Sequence, residues 1–327
     1  MKIKFWGVRG SVPAPLTGAQ VEEKIRKALF FYQFHIKINP GNPMHNYQFH
    51  EISTYGGNTS CVEIIAGNER IACDMGTGFR LLGNALFGEV FKTKILRLTV
   101  LLSHLHWDHI QGLPFFGELY LNKESGFKND FTFYGGTNWQ SGVESCLQGQ
   151  MDPPLFPVSF KEIEDQTAKL QMNTVHDQMS FKIGEAVVKT RKLNHPQETY
   201  GYRIEHSGKV FVYATDNEPY DPLYPDPKLL DLAKGADVLV IDCQYTKNIY
   251  EGKVGGVPRH GWGHSYPEAV AQIALQAGVK KMTLFHHDPA STDEQIYQME
   301  QNTQNLVHAL GGNTKVIAAY EGLEIEL

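Results

Sequence analysis

HLHWDH, residues 104–109, places three histidines and an aspartate within six residues. Imidazole and carboxylate are strong ligands for divalent transition metals. In an extended segment alternate residues share a face, so His104 and His106 can reach one ion together. Asp108 and His109, past a turn, can face a neighbouring ion. The preceding run, ILRLTVLLS, reads as a buried strand. Four ligand-type groups at the tip of such a strand are costly to leave unpaired, which points to metal.

The same setting recurs. His195 follows AVVKTRKL, Asp216 follows KVFVYA, and His286 and His287 follow KMTLF. Four strand ends delivering ligands argue for one cleft along a sheet edge. His264 lies in GWGHSYPEAVAQIALQAG, at a turn before a helical pattern. Two readings stand beside each other there. His264 can protonate a departing alkoxide, or it is an incidental neighbour of a helix start in which Ser265 caps and Glu268 completes S-x-x-E. Asn58, Thr59 and Ser60 could meet substrate, but turn chemistry is their better explanation.

These residues need elements to hold them. The first strand is Ile3 to Val8. VEEKIRKALFFYQFH has helical spacing, and the turn cluster NPGNPMHN follows it. The stretch from Pro13 to Tyr55 reads as an insertion above the core, a candidate lid, and its histidines, His35, His45 and His50, read as surface or packing residues. Strands follow at CVEIIAG, ERIACDM, ILRLTVLLS and DFTFYGG, then a helix at WQSGVESCLQGQ. A second strand series is expected at PVSFKEI, SFKIGEAVVKTRKL, ETYGYRIEH and KVFVYATD. ADVLVIDC and KMTLFH are buried strands. YPEAVAQIALQAG is a helix ending at Gly278, and TDEQIYQMEQNTQNLVHAL a helix stopped by Gly311 and Gly312. Nothing reads as a linker, so residues 1–327 are expected to form one domain of two face-packed sheets with outer helices.

Bulk properties narrow the partners. Apolar residues are 42% and charged residues 20% of 327, and the net charge is −6. No general attraction to nucleic acid or anionic membranes follows from that balance. No run of eighteen apolar residues is present, and MKIKFWGVRG lacks the apolar core of a signal peptide. Cys61, Cys73, Cys146 and Cys243 are widely spaced and read as reduced thiols, so a cytoplasmic location is expected.

H-x-H-x-D-H followed by a later His, Asp and His resembles the metallo-β-lactamase fold superfamily. The resemblance covers nearly the whole chain and includes ACDMGTGFRLL before the metal-binding strand. It implies an α/β protein built as a four-layer αββα sandwich with two metal ions. By the resemblance, His104, His106 and His195 hold the first ion, Asp108, His109 and His286 the second, and Asp216 bridges them. Asp74 would orient a ligand histidine. Zn²⁺ suits so histidine-rich a set, though Mn²⁺ and Fe²⁺ bind similar ones.

FWGVRGSVPAP, STYGGNTSCVEI and GWGHS resemble the branch that contains tRNase Z and phosphonate-pathway phosphodiesterases, where the last motif puts a histidine beside the scissile bond. Two departures matter. The tRNA-gripping arm of tRNase Z is missing, because ETYGYRIEHSGKVFVYATD reads as a plain hairpin. VLVIDCQYT carries Asp242 where a glutamate is expected. The combination looks most like bacterial members described as cyclic-nucleotide-type phosphodiesterases. The resemblance therefore implies a dinuclear phosphodiesterase that attacks small diesters, cyclic nucleotides among them, with a metal-bridging hydroxide. Asp108, as a ligand, and His264 would carry the catalysis. Members of this branch often form homodimers. The rivals are a tRNase Z-like RNA 3′ endonuclease, a thioester or lactone hydrolase, and a nucleotide sensor on a degenerate site.

Overall fold

The structure, a computed structural model, describes residues 1–38, 47–137, 142–221 and 223–327, without the side chains of His35 and Ile38. His45, the turn cluster NPGNPMHN and the first residues of WQSGVESCLQGQ lie outside the described residues.

Fourteen strands are found among the described residues: β1 (Lys2–Gly7), β2 (Cys61–Ala66), β3 (Glu69–Cys73), β4 (Ile95–Leu101), β5 (Lys128–Gly135), β6 (Ala168–Thr174), β7 (Ser180–Ile183), β8 (Ala186–Leu193), β9 (Thr199–His206), β10 (Lys209–Ala214), β11 (Val238–Asp242), β12 (Lys281–Phe285), β13 (Lys315–Ala318) and β14 (Glu324–Glu326). They form two seven-stranded sheets, ordered β14-β1-β2-β3-β4-β5-β6 and β13-β12-β11-β10-β9-β8-β7. β3 to β6 run parallel, as do β10 to β13. The remaining neighbours are antiparallel.

Burial separates three layers of core. Ile3, Phe5, Ile64, Tyr202, Phe211 and Phe285 fill the space between the sheets. Phe79, Leu82, Phe131 and Phe133 pack the first sheet against the helix Gly78–Thr93 and its neighbours. Val212, Leu239, Val270 and Leu284 do the same for the second sheet and the helix Pro267–Ala277. The result is the four-layer αββα sandwich that the resemblance implies. Its chemistry sits where the parallel strands end, because ordered carboxyl ends there present loops into one crevice.

Local structure departs from expectation in three places. PVSFKEI is not a strand: Phe160–Gln166 is a helix whose start is closed by a reciprocal Ser159–Glu162 capping box. That S-x-x-E signal outweighs the apolar alternation. SFKIGEAVVKTRKL is a hairpin, β7 and β8, turned at Gly184, whose φ is +54°. β6, from AKLQMNT, pairs parallel with β5 although six of its seven residues face solvent or are only partly covered.

The described part of the 13–55 stretch is fastened to the helix Asp293–Ala309. Lys24 pairs with Asp293 at 2.9 Å and donates to the carbonyls of His50 and Ser53. His50 pairs with Glu294 at 2.7 Å and stacks on Tyr297, so it serves packing. No helix among the described residues is long and apolar enough to cross a membrane.

Candidate metal centre

The loops after β3, β4, β8, β10, β11 and β12 converge. His104, His106, His195 and Asp216 offer ligand atoms that all lie within 4.8 Å of one another, and so do Asp108, His109 and His286. Asp216 faces both groups. Its Oδ2 is 3.6 Å from His104 Nε2, while its Oδ1 is 3.4 Å from His109 Nε2 and 3.3 Å from His286 Nε2. Asp108 Oδ2 lies 3.2 Å from His109 Nε2 and 3.0 Å from His286 Nε2.

What stands behind the histidines decides which nitrogen they present. His109 Nδ1 donates to Asp74 at 2.7 Å, His286 Nδ1 to Gln244 Oε1 at 2.8 Å, and His195 Nδ1 to the Gly263 carbonyl at 3.2 Å. His104 Nδ1 meets Ser103 Oγ, whose own proton goes to Asp74. In each ring the Nδ1 proton is taken, so a neutral ring turns its Nε2 lone pair inward. His106 completes the first group with Nδ1, 2.9 Å from His104 Nε2 and 3.3 Å from His195 Nε2.

Lone pairs and carboxylate oxygens thus face one another at close range, and His109 Nε2 is fully buried without a hydrogen-bond partner. Only positive charge reconciles such a set. Burial would lower His109, yet Asp108, Asp216 and Asp74 lift it well above the usual imidazole value. Burial would raise Asp108 and Asp216, yet neighbouring histidines hold both well below the carboxylate range. At His195 burial outweighs the pull of Asp216, and the ring falls to about 4. The donor set fits two divalent cations sharing one carboxylate.

Backbone conformation aims several of these groups. Asp74, Asp216 and His286 have φ of +62°, +49° and +61°, directly after β3, near the end of β10 and directly after β12. Left-handed residues at strand ends carry local strain that packing must hold. This turn separates the adjacent histidines: His286 joins the cluster, while His287 donates to the Ala319 carbonyl at 2.8 Å, away from it. At Gly10 a Cβ would stand 2.3 Å from His286 Nδ1, and at Gly263 it would stand 1.9 Å from His195 Nδ1. Glycine at both positions lets backbone pack directly on the imidazoles.

His264 lies next to the second group, its ring stacked on His286 at 4.9 Å. The helix begins at Pro267 with Tyr266 as its N-cap and no side-chain cap. The Ser265–Glu268 capping box is therefore not formed; Ser265 Oγ donates to the Asn217 carbonyl at 2.5 Å instead. Asp242, read from sequence only as a departure, accepts from His264 Nδ1 at 2.7 Å. Thr59 exchanges hydrogen bonds with Thr77 and Asn58 binds Glu321, so these two serve the turn.

Other contributors escaped the sequence reading. The Ser11 N–H donates to Asp108 Oδ2 at 2.7 Å, and the Tyr213 hydroxyl donates to Asp74 at 2.8 Å. Glu218 accepts from the Tyr250 hydroxyl and from the N–H groups of Gly261 and Gly263, at 2.6, 2.8 and 2.8 Å. A strand-end motif, ATDNE, was the available signal for Glu218. Glu218→Ala orphans three donors in a largely buried place. It is expected to cost about 1–3 kcal/mol for each donor that water cannot reach, seen as a lowered thermal unfolding midpoint of the metal-loaded protein.

Comparison with known proteins agrees with this architecture. A family model described as a beta-lactamase superfamily domain matches residues 70–287. Ribonuclease Z of Limosilactobacillus reuteri (strain DSM 20016) is 27% identical over 290 residues, covering 73% of this chain and 86% of that protein. Among solved structures, a diphosphatase from the PhnP family superposes with a TM-score of 0.61 at 18% identity, over 100% of this chain and 97% of its own. Human tRNase Z, short form, superposes with a TM-score of 0.55 at 17% identity, over 100% and 99%. The chain belongs to the beta-lactamase superfamily and is a metal-dependent hydrolase that resembles ribonuclease Z and the PhnP family.

Proposed function

We propose that the protein is a dinuclear phosphodiesterase acting on small phosphodiesters, with Zn²⁺ the metal that suits its histidine-rich ligands. The first ion is assigned to His104, His106 and His195, the second to Asp108, His109 and His286, with Asp216 shared. The observation that carries this reading is Asp216, whose two oxygens face the two donor groups. Bound there, paired ions would activate water and neutralise the charge on the phosphate oxygens.

The protein's own groups do the rest. Asp74 and Gln244 hold His109 and His286 in the ligating tautomer. The Ser11 N–H fixes Asp108. His264 donates a hydrogen bond from its Nδ1–H to Asp242, which stabilises the protonated ring and leaves the Nε2 proton for the departing alkoxide. Solvent reaches the cluster at the His106–His195 contact, which is exposed.

Substrate size is argued from β9 and β10. They form a tight hairpin, Lys209 opposite His206, turned at Ser207 and Gly208. No tRNA-gripping arm stands there. The likeness to ribonuclease Z favours a second reading, RNA 3′-end cleavage. We expect the metal-loaded protein to hydrolyse bis-p-nitrophenyl phosphate and to leave thioesters, lactones and a precursor tRNA nearly untouched. Cleavage of the tRNA 3′ end at a comparable rate would favour the nuclease reading instead.

A further inference from the structure

One short segment, DCQY, residues 242–245, runs between the acid and the second donor group. It leaves β11 beside the end of β12, where Asp242 pairs with Phe285. Asp242 accepts from His264 Nδ1, and Gln244 Oε1 accepts from His286 Nδ1. Backbone bonds fasten the segment on both sides. The Cys243 N–H donates to the carbonyl of Phe285, directly before His286, at 3.1 Å. The Tyr245 N–H donates to the carbonyl of Ser265, directly after His264, also at 3.1 Å. Asp242 Oδ1 accepts from the Gln244 N–H at 2.9 Å.

Tyr245 has no part in the chemistry above, yet it is buried against both halves of it. Its hydroxyl accepts from Gln244 Nε2 at 3.1 Å. Its ring stands edge-on to the His264 ring, 5.8 Å between centroids at 80°. The terminal torsion of a glutamine is soft, so one hydrogen bond leaves its amide free to swing. A second bond, at the NH₂ end, holds the oxygen on His286 Nδ1. Turned over, the amide would offer His286 a donor where it needs an acceptor. The ring would then have to carry its proton on Nε2, which removes the lone pair a metal needs.

We infer that Tyr245 is a positioning residue that aligns the second ion's ligand with the acid. Its hydroxyl anchors the Gln244 amide that orients His286, and its ring walls His264. This rests on the dinuclear diesterase reading and adds a residue to it.

The test uses Tyr245→Phe, Gln244→Leu and the double variant, each titrated metal-free with Co²⁺ and followed by absorbance. Tyr245→Phe keeps the ring and should weaken one of the two ions roughly 2- to 10-fold, the worth of one hydrogen bond. Gln244→Leu should weaken the same ion by about 10–100-fold. Because the hydroxyl acts through Gln244, Tyr245→Phe should cost nothing more in the double variant. Unchanged affinity in Tyr245→Phe, or additive losses in the double variant, overturns the inference. In the zinc-loaded protein the His286 Nδ1–H proton resonance, identified by its response to Gln244→Leu, should move upfield in Tyr245→Phe as the bond to Gln244 loosens. A resonance that stays in place in Tyr245→Phe also overturns it. The ring is read by leaving group: Tyr245→Leu, or Tyr245→Met if leucine does not fold, should lose more on a ribose diester than on a p-nitrophenyl diester. Equal losses would remove the ring from the alignment of the acid. A wild type that binds both ions but cleaves no diester sinks the diesterase reading alone, since titration and resonance still decide on Tyr245. If no ion binds at His286, the inference falls with the dinuclear reading.

Discussion

Asp216→Ala is expected to strip both ions and abolish diester hydrolysis. Its Oδ2 faces His104 and its Oδ1 faces His109 and His286. Among the carboxylates of the candidate ligand clusters, Asp216 falls in two of them and Asp108 and Asp242 in one each. Changing a residue that merely orients a ligand typically costs about 10–100-fold in metal affinity or activity. Losing a ligand common to two ions should exceed that. Elemental analysis beside a rate measurement checks it: no more than a trace of metal, and no turnover restored by modest added Zn²⁺. Retention of one ion with a normal rate would mean that the groups load independently and that Asp216 is not shared.

His264→Ala is expected to sort substrates by their leaving groups. General acid catalysis contributes ~10²–10⁴-fold. A ribose alkoxide leaves badly without a proton and should suffer that whole loss. p-Nitrophenolate leaves unaided and should barely notice, with both ions retained. The acid works only while protonated. Burial would lower its pKa, but Asp242 first, then Asp216 and Asp108, outweigh burial and raise it to about 9. Activity on a ribose diester should thus fall as pH rises through that ionisation. Asp242→Asn removes the main cause of the rise, so the fall should move to lower pH. Equal losses on both leaving groups would make His264 a phosphate-positioning group, and an unmoved alkaline limb would assign that limb to another residue.

Much of this centre is legible in the chain because its signals are local. A ligand-bearing turn after an apolar strand can be read within ten residues, and HLHWDH, RKLNH, YATD and TLFHH each show it. The same logic fails where two local signals compete. Ser159 and Glu162 start a helix inside a segment whose apolar alternation suggests a strand, and a few hydrogen bonds at the cap decide the outcome.

The candidate ligand types, their order and the strand ends that carry them can be read along the chain. Which atom faces which is settled by folding. Asp242 meets His264 across 22 residues, Ser11 meets Asp108 across 97, and His286 meets Asp108 across 178. The choice between His286 and His287 turns on a left-handed backbone residue that nothing local requires. Side chains alternate in direction along a strand, but at its end that rule lapses. There direction is set by the neighbouring strands, which pay no regard to distance along the chain.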